Sequence, residues 1–151
     1  MNFCRVWSSP HFVAAVAQLR TRFCHARFLI HRPFVYKALH YPKLMVAVDW
    51  GKCAVAIEAA CFWMLSLTPP NNRKYFMPHI FSWIQNFLAL ILSLQMCHSD
   101  EILSSVCGRS GMTQSNIEDA IRSMLVWLED IRQVGGSAGW SLEVIRAFLT
   151  T

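Results

Sequence analysis

Residues 49–67 read DWGKCAVAIEAACFWMLSL, and this stretch decides the fold. Only two charged residues, Lys52 and Glu58, follow its first residue, and apolar side chains occupy almost every other position. A helix that is apolar on all sides is buried on all sides or lies in lipid. The stretch therefore predicts a central apolar helix over about 50–67, ended by Pro69-Pro70.

The composition indicates one all-α domain. The chain has 151 residues, 54% apolar and 15% charged, whereas about a quarter of the residues of a globular protein are charged. Six Gly and six Pro fall between helix-length stretches, and no hairpin dipeptide between alternating strands is visible. We therefore expect a single compact helical bundle over 1–151, with 1–10 as an irregular N-terminus.

Apolar periodicity predicts a first helix over about 11–30, and Pro33 separates it from a short element over 34–40. Its apolar stripe repeats every three or four residues and consists of Phe12, Val16, Leu19 and Phe23, continued by Ala26 and Ile30.

Caps and breakers predict the helices that follow the central one. A helix over 75–95 comes next, and Ser99 caps a short helix over 100–106. Ser115 and Glu118 have the spacing of a capping box for a further helix. Gly135-Gly136 ends that helix, and the last one covers 141–149.

The net charge of +5 is divided unevenly along the chain. Ten Lys and Arg stand against two acids in 1–96, and four Arg stand against seven acids in 97–151. This asymmetry indicates a directed surface. The basic residues are dispersed and no nucleic-acid motif accompanies them, so we expect no nucleic-acid partner.

The sequence predicts neither an enzyme nor a bound cofactor or metal. None of the six His has ligand spacing with a second His or an acid, and the adjacent Cys-His pairs at 24–25 and 97–98 point apart on a helix. No CxxC pair or secretion signal accompanies the six Cys. We interpret them as small hydrophobic residues in a reducing compartment.

Two short motifs and their order indicate a function. Asp49-Trp50-Gly51-Lys52 opens the apolar helix: Asp49 can cap it, Gly51 lets another helix approach, and Lys52 presents a cation. The second motif is a helix followed by Gly135-Gly136 and Trp140. Each motif alone also suits an ordinary helix start or helical corner.

Together the motifs resemble the Bcl-2 family of apoptosis regulators, in which Asn-Trp-Gly-Arg opens the central helix and Trp-Ile-x-x-x-Gly-Gly-Trp lies near the C-terminus. This chain departs from that pattern, with Lys52 for the arginine, three residues between Gly136 and Trp140, and a longer stretch between the motifs. Such divergence is common among viral members of the family.

The resemblance implies a Bcl-2-like bundle whose apolar groove binds an amphipathic helix of pro-apoptotic family members. Lys52 would meet the aspartate of that helix. The partner-binding residues that it implies are Phe23, Phe28, Leu44, Val48, Trp50, Gly51, Lys52 and Val55, with Phe34 as a further candidate. Gly135, Gly136 and Trp140 would have a structural role.

The implied function is inhibition of cell death, because the family's third motif, Leu-x-x-x-Gly/Ala-Asp, is not found in 16–28. The implied location is intracellular, in the cytoplasm or on the surface of the mitochondrial outer membrane, within the host cell if the chain is viral. A homodimer and contact with a membrane surface stay open.

Two readings of other classes compete with this one. A small membrane-associated protein would place helices 50–67 and 79–95 in lipid as a hairpin, which Glu58, Gln85 and Asn86 make costly. A DNA-binding helical corner over 116–149 is opposed by its acidic surface, which would repel phosphate.

Overall fold

The computed structural model describes residues 10–65, 80–132 and 136–149, and the side chains of 15–63, 84–130, 132 and 139–148. Its α-helices are α1 (Pro10–His40), α2 (Ala47–Leu65), α3 (Ile80–Ser99), α4 (Glu101–Arg109), α5 (Gln114–Ile131) and α6 (Gly136–Leu149), and a 3-10 turn (Pro42–Leu44) joins α1 to α2. These ranges contain no strand, so the all-α prediction is confirmed.

Helix α1 continues through Pro33, where the sequence predicted a break. A proline inside a helix cannot donate the hydrogen bond to the carbonyl four residues earlier, here that of Leu29. Both residues are exposed, so water can solvate the carbonyl that loses its partner. The 31 residues of α1 form a rod about 46 Å long.

Helices α1 and α2 pack as an antiparallel hairpin. Lys37 near the end of α1 forms an ion pair with Asp49 near the start of α2. Further from the turn, Arg27 of α1 forms an ion pair with Glu58 of α2. Besides α1, helix α2 contacts α3, α4 and α5, while α3 contacts α4, α5 and α6.

The face of α1 that packs inward is not the apolar stripe that the sequence periodicity indicated. Thr21, Phe28, Val35 and Ala38 are buried, whereas Leu19, Phe23, Ala26 and Ile30 of that stripe are exposed. The Thr21 hydroxyl donates to backbone carbonyls of its own helix, at Ala17 and Gln18, which satisfies it away from water. Val16 of the same stripe is half-buried. Because α1 carries two apolar faces, local periodicity does not say which one meets α2. Phe12 lies outside the described side chains.

The core joins α2 to α3 through aromatic and small side chains. The rings of Trp63 and Phe87 meet edge to face, with centroids 5.1 Å apart. Such a pair contributes about 0.5–1.5 kcal/mol beyond its burial. Cys53 and Cys61 of α2 are buried among these residues, in agreement with the expectation that the cysteines behave as small hydrophobic residues.

Several predicted helix ends differ from those observed. Asp100, and not Ser99, caps α4, because its carboxylate accepts from the Leu103 N–H. Helix α6 begins at Gly136 and includes Trp140, where the sequence predicted a start at 141. The predicted irregular residues 1–9, the helix end at 66–70, the helix start at 75–79 and Gly135 lie outside the described residues.

The capping box of α5 also begins earlier than predicted. The Thr113 hydroxyl accepts from the Asn116 N–H, and the Asn116 side-chain carbonyl accepts from the Thr113 N–H. The sequence assigned these roles to Ser115 and Glu118. Both pairs have suitable residue types at the same spacing, so only the backbone conformation distinguishes them.

We expect Thr113→Ala to lower the free energy of unfolding by about 1 kcal/mol, because the first turn of α5 loses its side-chain acceptor. Ser115→Ala should leave it nearly unchanged, since Ser115 lies exposed inside the helix. Urea unfolding followed by circular dichroism measures both variants. A larger loss for Ser115→Ala would contradict the observed cap.

Candidate functional site

The start of α2 is held by Asp49, whose carboxylate accepts from the Lys37 ammonium at 2.6 Å and from the Val46 N–H at 3.3 Å. Val46 is the residue before the helix, so Asp49 caps α2 from inside its first turn rather than as its N-cap. Asp49 is only 8% exposed. These two partners satisfy the carboxylate and attach the end of α1 to the start of α2.

Lys52 lies one turn further along α2, with its ammonium 4.6 Å from the centre of the Phe34 ring. A cation over an aromatic face is stabilised by about 0.5–1 kcal/mol at an exposed site. No described carboxylate forms an ion pair with Lys52, since Asp49 is bound by Lys37. Lys52 is therefore a half-buried lysine that packs on the Phe34 ring and whose charge is available to a ligand.

An open apolar surface surrounds Lys52. Val48, Gly51 and Val55 follow at helical spacing on one face of α2; the first two are exposed and Val55 is half-buried. A Cβ added to Gly51 would meet no atom within 4 Å. The sequence predicted a close helix approach at Gly51, but no part of the chain that the structure describes makes one. Leu44 in the preceding turn is exposed, and Trp50 packs partly buried against the core.

The same face of α2 continues into a pocket that the sequence did not reveal. Glu58 and Phe62 extend the row of Val48, Gly51 and Val55. The pocket has a volume of about 300 Å³ and is lined by Glu58, Cys61, Phe62, Ser110, Gly111, Met112, Asn116, Asp119, Ala120 and Ser123. The spacing of residues 48, 51, 55, 58 and 62 could have indicated which residues of α2 share this face. The opposite wall of the pocket comes from α5 and the loop before it, and no local sequence pattern indicates that it lies beside α2.

Other predicted site residues lie elsewhere. Phe28 is 2% exposed and belongs to the core, so it does not line an open groove. Phe23 lies on the outer face of α1, three turns before Phe34, which is about 16 Å along the axis. A structural role beside Gly136 was predicted for Trp140. Its side chain is 60% exposed on α6.

Three of the buried thiols, those of Cys53, Cys61 and Cys97, have a raised pKa and no activated character. Burial, with a smaller contribution from the nearby Cys107 thiol, raises the pKa of Cys53 to about 12 and that of Cys61 to about 12. A hydrogen bond to Cys107, together with burial, raises the pKa of the Cys97 thiol. Thiols that stay protonated at neutral pH are poor nucleophiles.

Within the described ranges, no three His, Cys, Asp or Glu side chains come together in a way that could hold a metal ion. None of the described helices combines the length and apolarity needed to cross a bilayer. Comparison of the chain with models of protein families, with curated proteins and with solved structures finds no match.

Lys37 and the Val46 N–H hold the pKa of the Asp49 carboxyl below its usual range. Because the pKa is lower in the folded state than in the unfolded state, the contribution of Asp49 to stability is present above about pH 4. It is lost as the pH falls through the folded-state pKa.

We therefore expect Asp49→Asn to be less stable than the wild type at pH 7, with a difference that shrinks as the pH falls below about 4. Urea unfolding over this pH range measures the difference. Asp119→Asn, which breaks an exposed ion pair with Arg122, is the control and should cost less. A difference independent of pH would remove Asp49 from this role.

Proposed function

We propose that the protein is a regulator of apoptosis, and an inhibitor, which binds amphipathic pro-apoptotic helices of the Bcl-homology-3 type. The proposed binding surface is the α2 face, comprising Val48, Gly51, Lys52 and Val55, together with Leu44. The motif resemblance suggests the function, and the geometry of this face suggests how binding would occur. Binding without catalysis is part of the proposal.

The observation that carries the proposal is the Lys52 cation beside an open apolar surface. An amphipathic helix binds through apolar anchors at spacings of three and four, and a charged residue sets its register. On the α2 face, Val48 and Val55 are seven residues apart, which is two helical turns. Lys52 lies between them in sequence, where it could meet an aspartate between two anchors.

Lysine is a point charge on a flexible stem, whereas arginine offers a planar fork that matches a carboxylate. A partner aspartate should therefore bind Lys52 less directionally than it would bind the family's arginine. The ring of Phe34 limits this freedom, because it holds the ammonium on one side.

The pocket beside the α2 face would receive the other end of the partner helix. Its lining includes the carboxylates of Glu58 and Asp119, which already pair with Arg27 and Arg122, so a neutral hydroxyl or amide side chain would suit it.

A Bcl-2-like fold is part of the same proposal. Helix α2 would correspond to the family's central helix, which opens with the first motif. Its contacts with four neighbouring helices support that correspondence. Phe28 and Phe23 are not included in the proposed binding surface, because one is buried and the other lies about 16 Å from Phe34.

A titration of the full chain with labelled pro-apoptotic helix peptides, followed by fluorescence anisotropy, tests the proposal. Lys52→Glu should weaken binding about 10- to 100-fold, which corresponds to about 1.5–3 kcal/mol for one charged hydrogen bond. Lys52→Arg should bind at least as tightly as the wild type, because of its carboxylate-matching fork. Arg109→Glu makes the same charge change at an exposed site of α4 and should have little effect.

A second variant probes the shape of the surface independently of charge. Gly51→Phe projects into open space, so it should not lower the free energy of unfolding. Its ring would occupy the space of a docked helix, and we expect at least tenfold weaker peptide binding. Absence of binding by the wild type across the peptide panel would overturn the proposed function. Undiminished binding by Gly51→Phe would move the site away from α2.

A further inference from the structure

A row of large apolar side chains lies uncovered on the outer face of α1. Leu19, Phe23 and Ile30 are 67%, 65% and 69% exposed, and the exposed Ala26 completes the row. Spacings of four, three and four place these residues on one narrow face of the helix. We call them the α1 stripe; it is about 16 Å long.

Positive charge flanks the α1 stripe on both sides. Arg20 lies along one edge and Arg22 along the other, and both are exposed. The whole of α1 contains four Arg and one Lys and no Asp or Glu. Arg27 forms an ion pair with Glu58 of α2. Arg20 and Arg22 are therefore the arginines beside the α1 stripe that can bind a ligand covering it. The occupant should therefore be negatively charged.

The shape of the α1 stripe favours a flat occupant over a helix in a groove. Side chains that are about two-thirds exposed project from the surface as a ridge. A docked helix needs space that buries its anchors, which the α2 face offers through the adjoining pocket of about 300 Å³. A bilayer interface accepts a ridge, because apolar side chains enter the boundary between headgroups and acyl chains while arginines extend towards the phosphates.

We propose that α1 lies along the surface of an anionic lipid bilayer, with the α1 stripe inserted below the headgroups and Arg20 and Arg22 against lipid phosphates. The opposite face of α1 stays packed on α2, so the domain binds folded. Each arginine near an anionic membrane strengthens binding about fivefold. The apolar side chains supply the part of the affinity that does not depend on salt.

Co-sedimentation of the full chain with vesicles tests this proposal. We expect binding to vesicles of phosphatidylcholine mixed with phosphatidylserine, much weaker binding to phosphatidylcholine alone, and weakening by salt. Arg20→Gln with Arg22→Gln should lower the partition coefficient about 30-fold, as two arginines at about fivefold each. Phe23→Ser with Ile30→Ser should lower it at least as much, with unchanged helicity, because all four sites are exposed.

Matched control variants distinguish binding through the α1 stripe from effects of net charge and of exposed apolar side chains in general. Arg109→Gln with Arg122→Gln removes the same charge from α4 and α5, and Val126→Ser removes an exposed apolar side chain from α5. Both should bind vesicles nearly as well as the wild type. The proposal is overturned if the wild type does not bind anionic vesicles, if the controls lose as much binding as the α1 variants, or if Phe23→Ser with Ile30→Ser binds normally.

Discussion

The antiparallel packing of α1 on α2 determines which side chains of both helices remain at the surface. Lys37 meets Asp49 near the turn, and Arg27 meets Glu58 further along. The more exposed pair, Arg27 with Glu58, contributes little to stability, whereas a fully buried large apolar side chain such as Phe28 contributes about 1.5–3 kcal/mol. The charged pairs therefore specify the register of the hairpin, and the apolar burial between them supplies most of its free energy.

This register also distributes the charges at the start of α2. Asp49 stands near two lysines but is hydrogen-bonded to only one of them, Lys37 of α1. If Lys37 did not reach Asp49, Lys52 would be the nearest alternative partner on the same helix. The packing of α1 thus leaves Lys52 over Phe34 with its charge available. The proposed site for an acidic ligand therefore depends on an ion pair elsewhere in the hairpin.

The rotation of α1 has a second consequence on the opposite side of the hairpin. Since Phe28 and Val35 turn inward, the alternative apolar face is left to the solvent. The two proposed surfaces thus lie on different helices, the α2 face beside Lys52 and the α1 stripe beside Arg20 and Arg22. The proposed helix binding and the proposed membrane contact can therefore be tested by separate mutations.

The helices themselves could be predicted from the sequence, because their causes are local. Apolar runs without strand alternation indicated the helical type of the elements, and α2 covers nearly all of its predicted range. Their number was not predicted, because α1 is one helix where the sequence indicated two elements. Helix ends were less predictable. Thr113 and Ser115 offer equivalent capping chemistry, and Pro33 is compatible with a helix where the carbonyl that it leaves unpaired faces water.

By itself, the sequence determined the all-α class, the apolarity of α2 and the cation near its start. Only the tertiary structure decided that Phe28 is buried while Phe23 is exposed and that Gly51 faces open space. It also decided that α5 and the loop before it form a pocket beside α2. The physical reason is that helix formation depends on neighbours within one or two turns. Exposure depends on which distant helix packs against a face and in which register.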